Sequence, residues 1–427
     1  MNQATAPAVR SRDLAIVLAG GRGSRLFDLT DAQAKPALPV GPSCRLIDFT
    51  LANVSNSAIA QAMVLTQYAP ESLRSHIEAS WQSRHRGGPL GIELLDGSDF
   101  GGFNGTADAV GKVRAAIDAR APDLVVILAG DHLYQMDYRP FMDAHRRSGA
   151  GVTVGAAHVP VGTAREFGIM QVDDDGRIVD FFEKPATARS SADRPGFALA
   201  SMGIYVFSWS RLKSLLDRLA PLHEELDFGK HVLPQMVEGR LAHAYTLPGR
   251  RDAAPLWRDL GTIDAYHRVH SEMASGTLPL DPSWPVPLDV AAMPVLDPAR
   301  THARDSVSVF SWTGSSIAHG ALIGAGSRLD NVVVLPGARI GRNVTIHDAI
   351  VTQDAVLPDG FELDRALRAP GRWCTISEGG IHVLSARALA NLARLDGAAL
   401  HPRPLLASTD RNRTEAPALR LLANGRR

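Results

Sequence analysis

Cysteine is scarce in this chain: Cys44 and Cys374 are the only two in 427 residues and lie far apart, so no disulfide framework is expected. Such usage suits a reducing compartment. Net charge is missing as well. Lys and Arg number 45, Asp and Glu number 45, and no basic excess points to nucleic acid or an anionic membrane as a partner. No apolar run is long enough to span a bilayer. The opening residues, MNQATAPAVRSR, lack the apolar stretch of a signal peptide. The expectation is a soluble cytoplasmic protein, long enough for two domains with a sizeable core.

Two familiar phosphate signatures are also absent. The glycine-rich segment LAIVLAGGRGSRL (14–26) is not closed by Gly-Lys-Ser/Thr, and it contains no GxGxxG. What it does contain is an apolar run of strand length followed at once by Gly20, Gly21 and Gly23, with Arg22 and Arg25 interleaved and Lys35 soon after. Glycines let backbone amides approach and ring an anion. The cations add charge-assisted donors for phosphate. The loop therefore reads as a polyphosphate cradle; the plainer alternative is a glycine turn with solvated arginines.

Up to about residue 275, short apolar runs at 14–18, 63–66, 124–128, 152–156 and 203–207 alternate with helical patterns at 72–78, 107–119 and 138–147. Alternation of this kind predicts an α/β domain with a mostly parallel sheet. Its ligand crevice belongs beyond the carboxyl ends of the strands. Residues 276–304 are proline-rich and read as a linker. Beyond it, Ile317, Ile323, Leu329 and Leu335 recur every six residues; the register slips, and Ile340 and Ile346, then Ile350 and Val356, repeat the spacing. Small residues follow several of them: Ala318, Gly324, Gly341. A period of six predicts a parallel β-helix. A β-meander would explain the short strands but not the period. The expected organisation is a tail at 1–12, a catalytic domain at 13–275, the linker at 276–304, and a β-helix domain with a C-terminal tail at 305–427.

Asp131 in AGDH and Asp259 in WRDLGT each follow a short apolar or aromatic segment, where the crevice is expected. Two carboxylates meeting there suit Mg²⁺, a hard cation that prefers oxygen and bridges phosphates. Either aspartate alone reads more readily as a cap or turn residue. In Phe182-Glu183-Lys184-Pro185 the proline should end a strand and leave Lys184 beside the crevice.

Together these segments resemble the glucose-1-phosphate adenylyltransferase (ADP-glucose pyrophosphorylase) family. The resemblance runs through LAGGRGSRL, AKPALPV, RLIDFTLAN, LTQY, GTADAV, VVILAGDH, FEKP, SMGIYVF, DFGK and WRDLGT, and covers nearly the whole chain. It implies a dinucleotide-binding-like nucleotidyltransferase domain followed by a left-handed parallel β-helix. It implies joining of ATP and glucose 1-phosphate with release of pyrophosphate, without a covalent enzyme intermediate. The resemblance gives Gly20, Gly21, Arg22 and Gly23 to the triphosphate and Gln67 to the adenine. Arg25 and Lys35 are expected to act on the departing pyrophosphate, and Asp131 and Asp259 to bind Mg²⁺, with Asp131 also counted as catalytic. Lys184 is expected to hold the sugar phosphate, while Glu183, Ser201 and Gly168 meet the glucose. A homotetramer responsive to metabolite effectors is implied too. Two departures stand out: relatives carry a basic pair where Ala32 and Gln33 stand here, and an arginine where Ile376 stands. The readings that compete are a non-catalytic regulatory subunit, which typically lacks the cations seen here at Arg25 and Lys35, and an enzyme using UTP or dTTP.

Overall fold

Strands of the first domain are apolar on both faces, and that decides their place in the molecule. The structure, a computed structural model, describes residues 12–41, 43–82, 90–249, 255–286, 311–369 and 371–395. The expected tail before Arg12, residues 287–304 of the linker and the arginine-rich stretch after Leu395 lie outside the described residues. Strands β1 (Leu14–Leu18), β2 (Gln61–Thr66), β3 (Gly91–Asp96) and β4 (Leu124–Ala129) run parallel, ordered β4-β1-β2-β3. Ala15, Val17, Val64, Val126 and Leu128 face one core; Leu14, Ile16, Met63, Leu65, Val125 and Ile127 face the other. A sheet covered on both faces needs that continuous apolar character.

Helices supply the covers. On the first side lie α1 (Leu46–Asn56), α2 (Pro70–Ile77) and α3 (Tyr138–Ser148). On the other lie Thr106–Lys112, Arg114–Asp118 and Trp209–Leu219. The single helix expected over 107–119 is therefore two, parted at Val113, whose ψ of 9° leaves the helical basin.

Most of the rest of the sheet departs from parallel pairing, the exception being Ala242–Thr246, which runs parallel to Val152–Pro160. The long strand Phe197–Ser208 runs antiparallel to β4, to Val152–Pro160 and to Gly168–Val172, and Gly168–Val172 pairs antiparallel with Ile178–Glu183. A bulge between Ser201 and Tyr205, with Gly203 at φ 69°, bends the long strand beside the crevice. The parallel half carries the glycine loop; the antiparallel half carries Gly168, Glu183 and Ser201.

The second domain is the expected β-helix. Strands Arg328–Val334 and Thr345–Val351 stack in parallel, as do Leu322–Ile323, Arg339–Ile340 and Val356–Leu357. Each coil takes 17 residues, as in the Val332–Ser315 and Val344–Ser327 contacts. Three sixes less one is the register slip seen in the sequence between Leu335 and Ile340. The helix Ala386–Leu395 packs Ala388 and Leu392 against the β-helix core. Leu26, Leu29, Leu38, Tyr266 and Val269 of the first domain share a core with Val333, Leu335, Ile350 and Val383 of the second.

Candidate active site

Glycine keeps three close approaches open here. A Cβ on Gly130 would lie 3.0 Å from Val17 Cγ1 and 3.2 Å from Leu18 O, so the strand end at Asp131 closes tightly on β1. Gly23 has φ 69°, and a Cβ there would meet Lys35 Cβ at 2.9 Å. A Cβ on Gly20 would come 3.2 Å from Gln67 Cβ. Backbone bonds fix the loop: Ala19 N donates to Leu65 O (2.8 Å), Gly130 N to Leu18 O (3.0 Å) and Lys35 N to Gly21 O (3.3 Å).

The two aspartates predicted to meet do meet. Lys35 Nζ donates to Asp131 Oδ2 at 3.0 Å and to Asp259 Oδ1 at 2.7 Å, and the lysine is only 5% exposed. Burial alone would lower the Lys35 ammonium, but the two carboxylates raise it above its ordinary value. Burial would raise the Asp131 carboxyl; Lys35 and then His132 outweigh that and bring it down to about 2. Arg25 bridges the far side, 3.4 Å from Glu166 Oε2 and 3.9 Å from Asp259 Oδ2. One ammonium against two carboxylates leaves a net negative charge. Such an oxygen donor set fits Mg²⁺, which commonly takes one or two carboxylates and completes its shell with water and substrate phosphates. Among the described residues, no group of three or more His, Cys, Asp or Glu side chains forms a closed metal cage.

A cavity of about 450 Å³ opens beside this cluster. Gly20, Gly21, Gln67, Asp131 and Glu183 line it, together with Tyr205, Asp227 and Gly229. Gln67 stands at the mouth with its amide engaged: Oε1 accepts from Phe103 N, and Nε2 donates to Phe103 O at 3.1 Å. One Nε2 hydrogen and one Oε1 lone pair remain free to read a base while Phe103 holds the amide in place. Arg22 lies over the Tyr68 ring at 5.2 Å, at the loop's edge. Burial raises the Glu183 carboxyl, Lys184 opposes that, and Asp227 adds to it. A Cβ on Gly168 would lie 2.9 Å from Glu183 Oε2, so a larger residue there would displace the Glu183 carboxylate. Lys184 is exposed at φ 48°, its N–H bonded to Phe167 O at 3.1 Å. Ser201 is buried on the long strand, and its Oγ accepts from Gly203 N at 3.3 Å.

Sequence reasoning passed over three contributors. His132 places Nε2 3.7 Å from Asp131 Oδ1 and 3.8 Å from Asp259 Oδ1, while its Nδ1 accepts from Trp257 Nε1 at 3.4 Å. That acceptor role puts the proton on Nε2, facing the carboxylates. Asp227 accepts from Gly229 N (2.8 Å) and Thr106 Oγ1 (2.7 Å) and shapes the cavity wall. Gly229 would bring a Cβ within 2.5 Å of Glu183 Oε2. His132 lies within AGDH and Asp227 and Gly229 within DFGK, the signals that point to them. Gln33 bonds Gln353 of the β-helix at 2.7 Å, so this departure lies on the seam between domains.

Comparison with known proteins places these features. Residues 14–276 match the nucleotidyl transferase family, and residues 306–384 match the GlmU-like C-terminal hexapeptide family. A glucose-1-phosphate adenylyltransferase of Jannaschia sp. is 36% identical over 404 residues, covering 88% of this chain and 96% of the relative. The Alkalilimnicola ehrlichii protein named glucose-1-phosphate adenylyltransferase 2 is 38% identical, covering 86% and 92%. A glucose-1-phosphate adenylyltransferase of Agrobacterium fabrum is 38% identical, covering 87% and 96%.

Proposed function

The chain belongs to the glucose-1-phosphate adenylyltransferase family of nucleotidyltransferases, and from that premise we propose that it converts ATP and α-D-glucose 1-phosphate into ADP-glucose and pyrophosphate. One observation carries the reading: Asp131 and Asp259 converge on one cation position at the mouth of a glycine-walled cavity. A phosphate oxygen of the sugar phosphate forms a bond to the α-phosphorus of ATP, and the bond to pyrophosphate breaks. No side-chain nucleophile is involved, so the protein contributes position and charge. Mg²⁺, when bound by Asp131 and Asp259, supplies neutralising charge to the phosphates.

This chain's own residues do the rest. Gly20, Gly21 and Gly23 admit the triphosphate close to backbone amides, with Arg22 at the loop edge. Gln67 faces the adenine. Arg25 meets charge developing on the leaving pyrophosphate, with Lys35 beside it. Lys184 holds the sugar phosphate, and Glu183, Ser201 and the bare backbone of Gly168 fit the glucose. The product supplies glycogen synthesis in the cytoplasm, and the protein works as a homotetramer open to metabolite effectors. Neutral Ala32, Gln33 and Ile376 provide no cation for an anionic effector.

The test is pyrophosphate release with glucose 1-phosphate and each nucleoside triphosphate in turn. ATP is expected to be preferred. A preference for UTP or dTTP would overturn the adenylyl assignment, and no release with any nucleotide would overturn catalysis itself.

A further inference from the structure

Between Arg25 and Lys35 the chain makes a turn that it would not choose unaided. Phe27 has φ 47° and ψ −124°, outside the basins open to a residue with a Cβ. Its ring is 53% exposed, so burial of the ring does not hold it there. The restraint comes from the next residue. The Asp28 side chain is only 5% exposed, and both its oxygens are taken by the second domain: Oδ2 accepts from Ser385 Oγ and Oδ1 from the Arg387 guanidinium. The other arm of Arg387 reaches Asp31 at 2.9 Å. On the opposite side, the Tyr68 hydroxyl donates to Thr30 O at 3.1 Å and Asp31 O at 2.8 Å. Thr30 Oγ1 ties the turn back to Gly23 O at 3.0 Å.

We propose that Arg387 and Ser385, at the start of the helix packed against the β-helix core, are positioning residues for the phosphate loop: by holding Asp28 they keep the Phe27 turn strained and aim Arg25 across Asp259. A forked guanidinium spanning two carboxylates fixes direction as well as charge. Without it, the Asp28 carboxylate is left buried beside a single hydroxyl. The cheapest relaxation is to let Phe27 return to an allowed basin, which swings Arg25 away. The inference rests on the role proposed for Arg25 and extends it to a side chain more than 350 positions later.

The experiment uses the full-length chain and four variants: Arg387→Ala, Arg387→Lys, Phe27→Gly and Arg387→Ala with Phe27→Gly. Steady-state kinetics and hydrogen–deuterium exchange of peptides covering 24–34 are read side by side. Arg387→Ala is expected to lose roughly 10- to 100-fold in kcat, the scale of a misplaced catalytic group, with KM for glucose 1-phosphate nearly unchanged. Exchange across 24–31 should quicken, and Tm should fall only modestly, because relaxation of the turn offsets part of the cost of the unpaired Asp28 carboxylate. Arg387→Lys should recover part of kcat, because charge returns without the fork. Glycine at 27 removes the strain, so the double variant should recover part of the loss and Phe27→Gly alone should keep activity. Unchanged kcat and exchange in Arg387→Ala would overturn the proposal. So would a kcat loss that tracks a fall in Tm and is not rescued at position 27. Exchange reads the turn without substrate, so a parent that makes no ADP-glucose refutes the function and leaves the clamp measurable.

Discussion

Asp131 and Asp259 reach one another through a single ammonium, and removing either negative charge leaves Lys35 and Arg25 facing a depleted acceptor. Asp131→Asn or Asp259→Asn should therefore cut turnover by at least about 100-fold, near 3 kcal/mol of barrier, while circular dichroism and Tm stay close to the parent. Near-normal turnover in either variant would refute the shared site. The task proposed for Lys184 is different. An ammonium on a ground-state phosphate contributes alike before and at the transition state, so Lys184→Ala should raise KM for glucose 1-phosphate and leave KM for ATP nearly unchanged. Arg25→Ala should show the opposite balance, with kcat falling most, because charge grows on the departing pyrophosphate. Comparable losses of ATP affinity in both variants would show that the two roles are not separate.

The elements were legible where one local pattern sufficed. Apolar runs followed by Gly-Gly or Gly-Asp marked β1 and β4 and placed Asp131 at a strand end, because strand, turn and carboxylate are contiguous. The first half of Phe197–Ser208 was not legible, since the bulge at Gly203 interrupts the alternation that marks a strand. The contacts of Asp227 and Arg387 were hidden for another reason: they reach residues 121 and 359 positions away, respectively. In the β-helix the small residues after the aliphatic positions were visible, and the coils show why they are small. A Cβ on Gly341 would meet Asp359 N at 2.6 Å and Pro358 C at 2.7 Å, backbone atoms of the next coil. Gly341→Val must push the coils apart and should cost about 1–3 kcal/mol by overpacking. Chemical denaturation checks this; a stability equal to the parent would mean that the corner has slack.

Across the whole molecule the two domains share one core, and a histidine stands at its centre. His270, on the helix Ile263–Ala274, is 1% exposed. Its ring bridges Pro39 O of the first domain and Ser316 Oγ of the second, each at 3.3 Å. A neutral ring satisfies both partners, donating to the carbonyl and accepting from the hydroxyl. Burial pushes its pKa from 6.5 down to about 4; the Pro39 carbonyl opposes the shift, and the neighbouring His267 adds to it. The unfolded chain takes up the proton near pH 6.5 and the folded chain only near 4, so the unfolded state binds more protons in between. Stability is then full above about pH 6.5 and declines as pH falls toward 4, by about 3 kcal/mol for this group. Buried His145, also lowered to about 4, contributes in the same direction. His270→Gln keeps a donor and an acceptor at the seam but cannot titrate. In urea titrations at pH 7.5, 6 and 5 the variant should start less stable than the parent and lose less with acid, so that the two curves converge. Parallel curves would show that the seam's acid sensitivity comes from carboxylates instead.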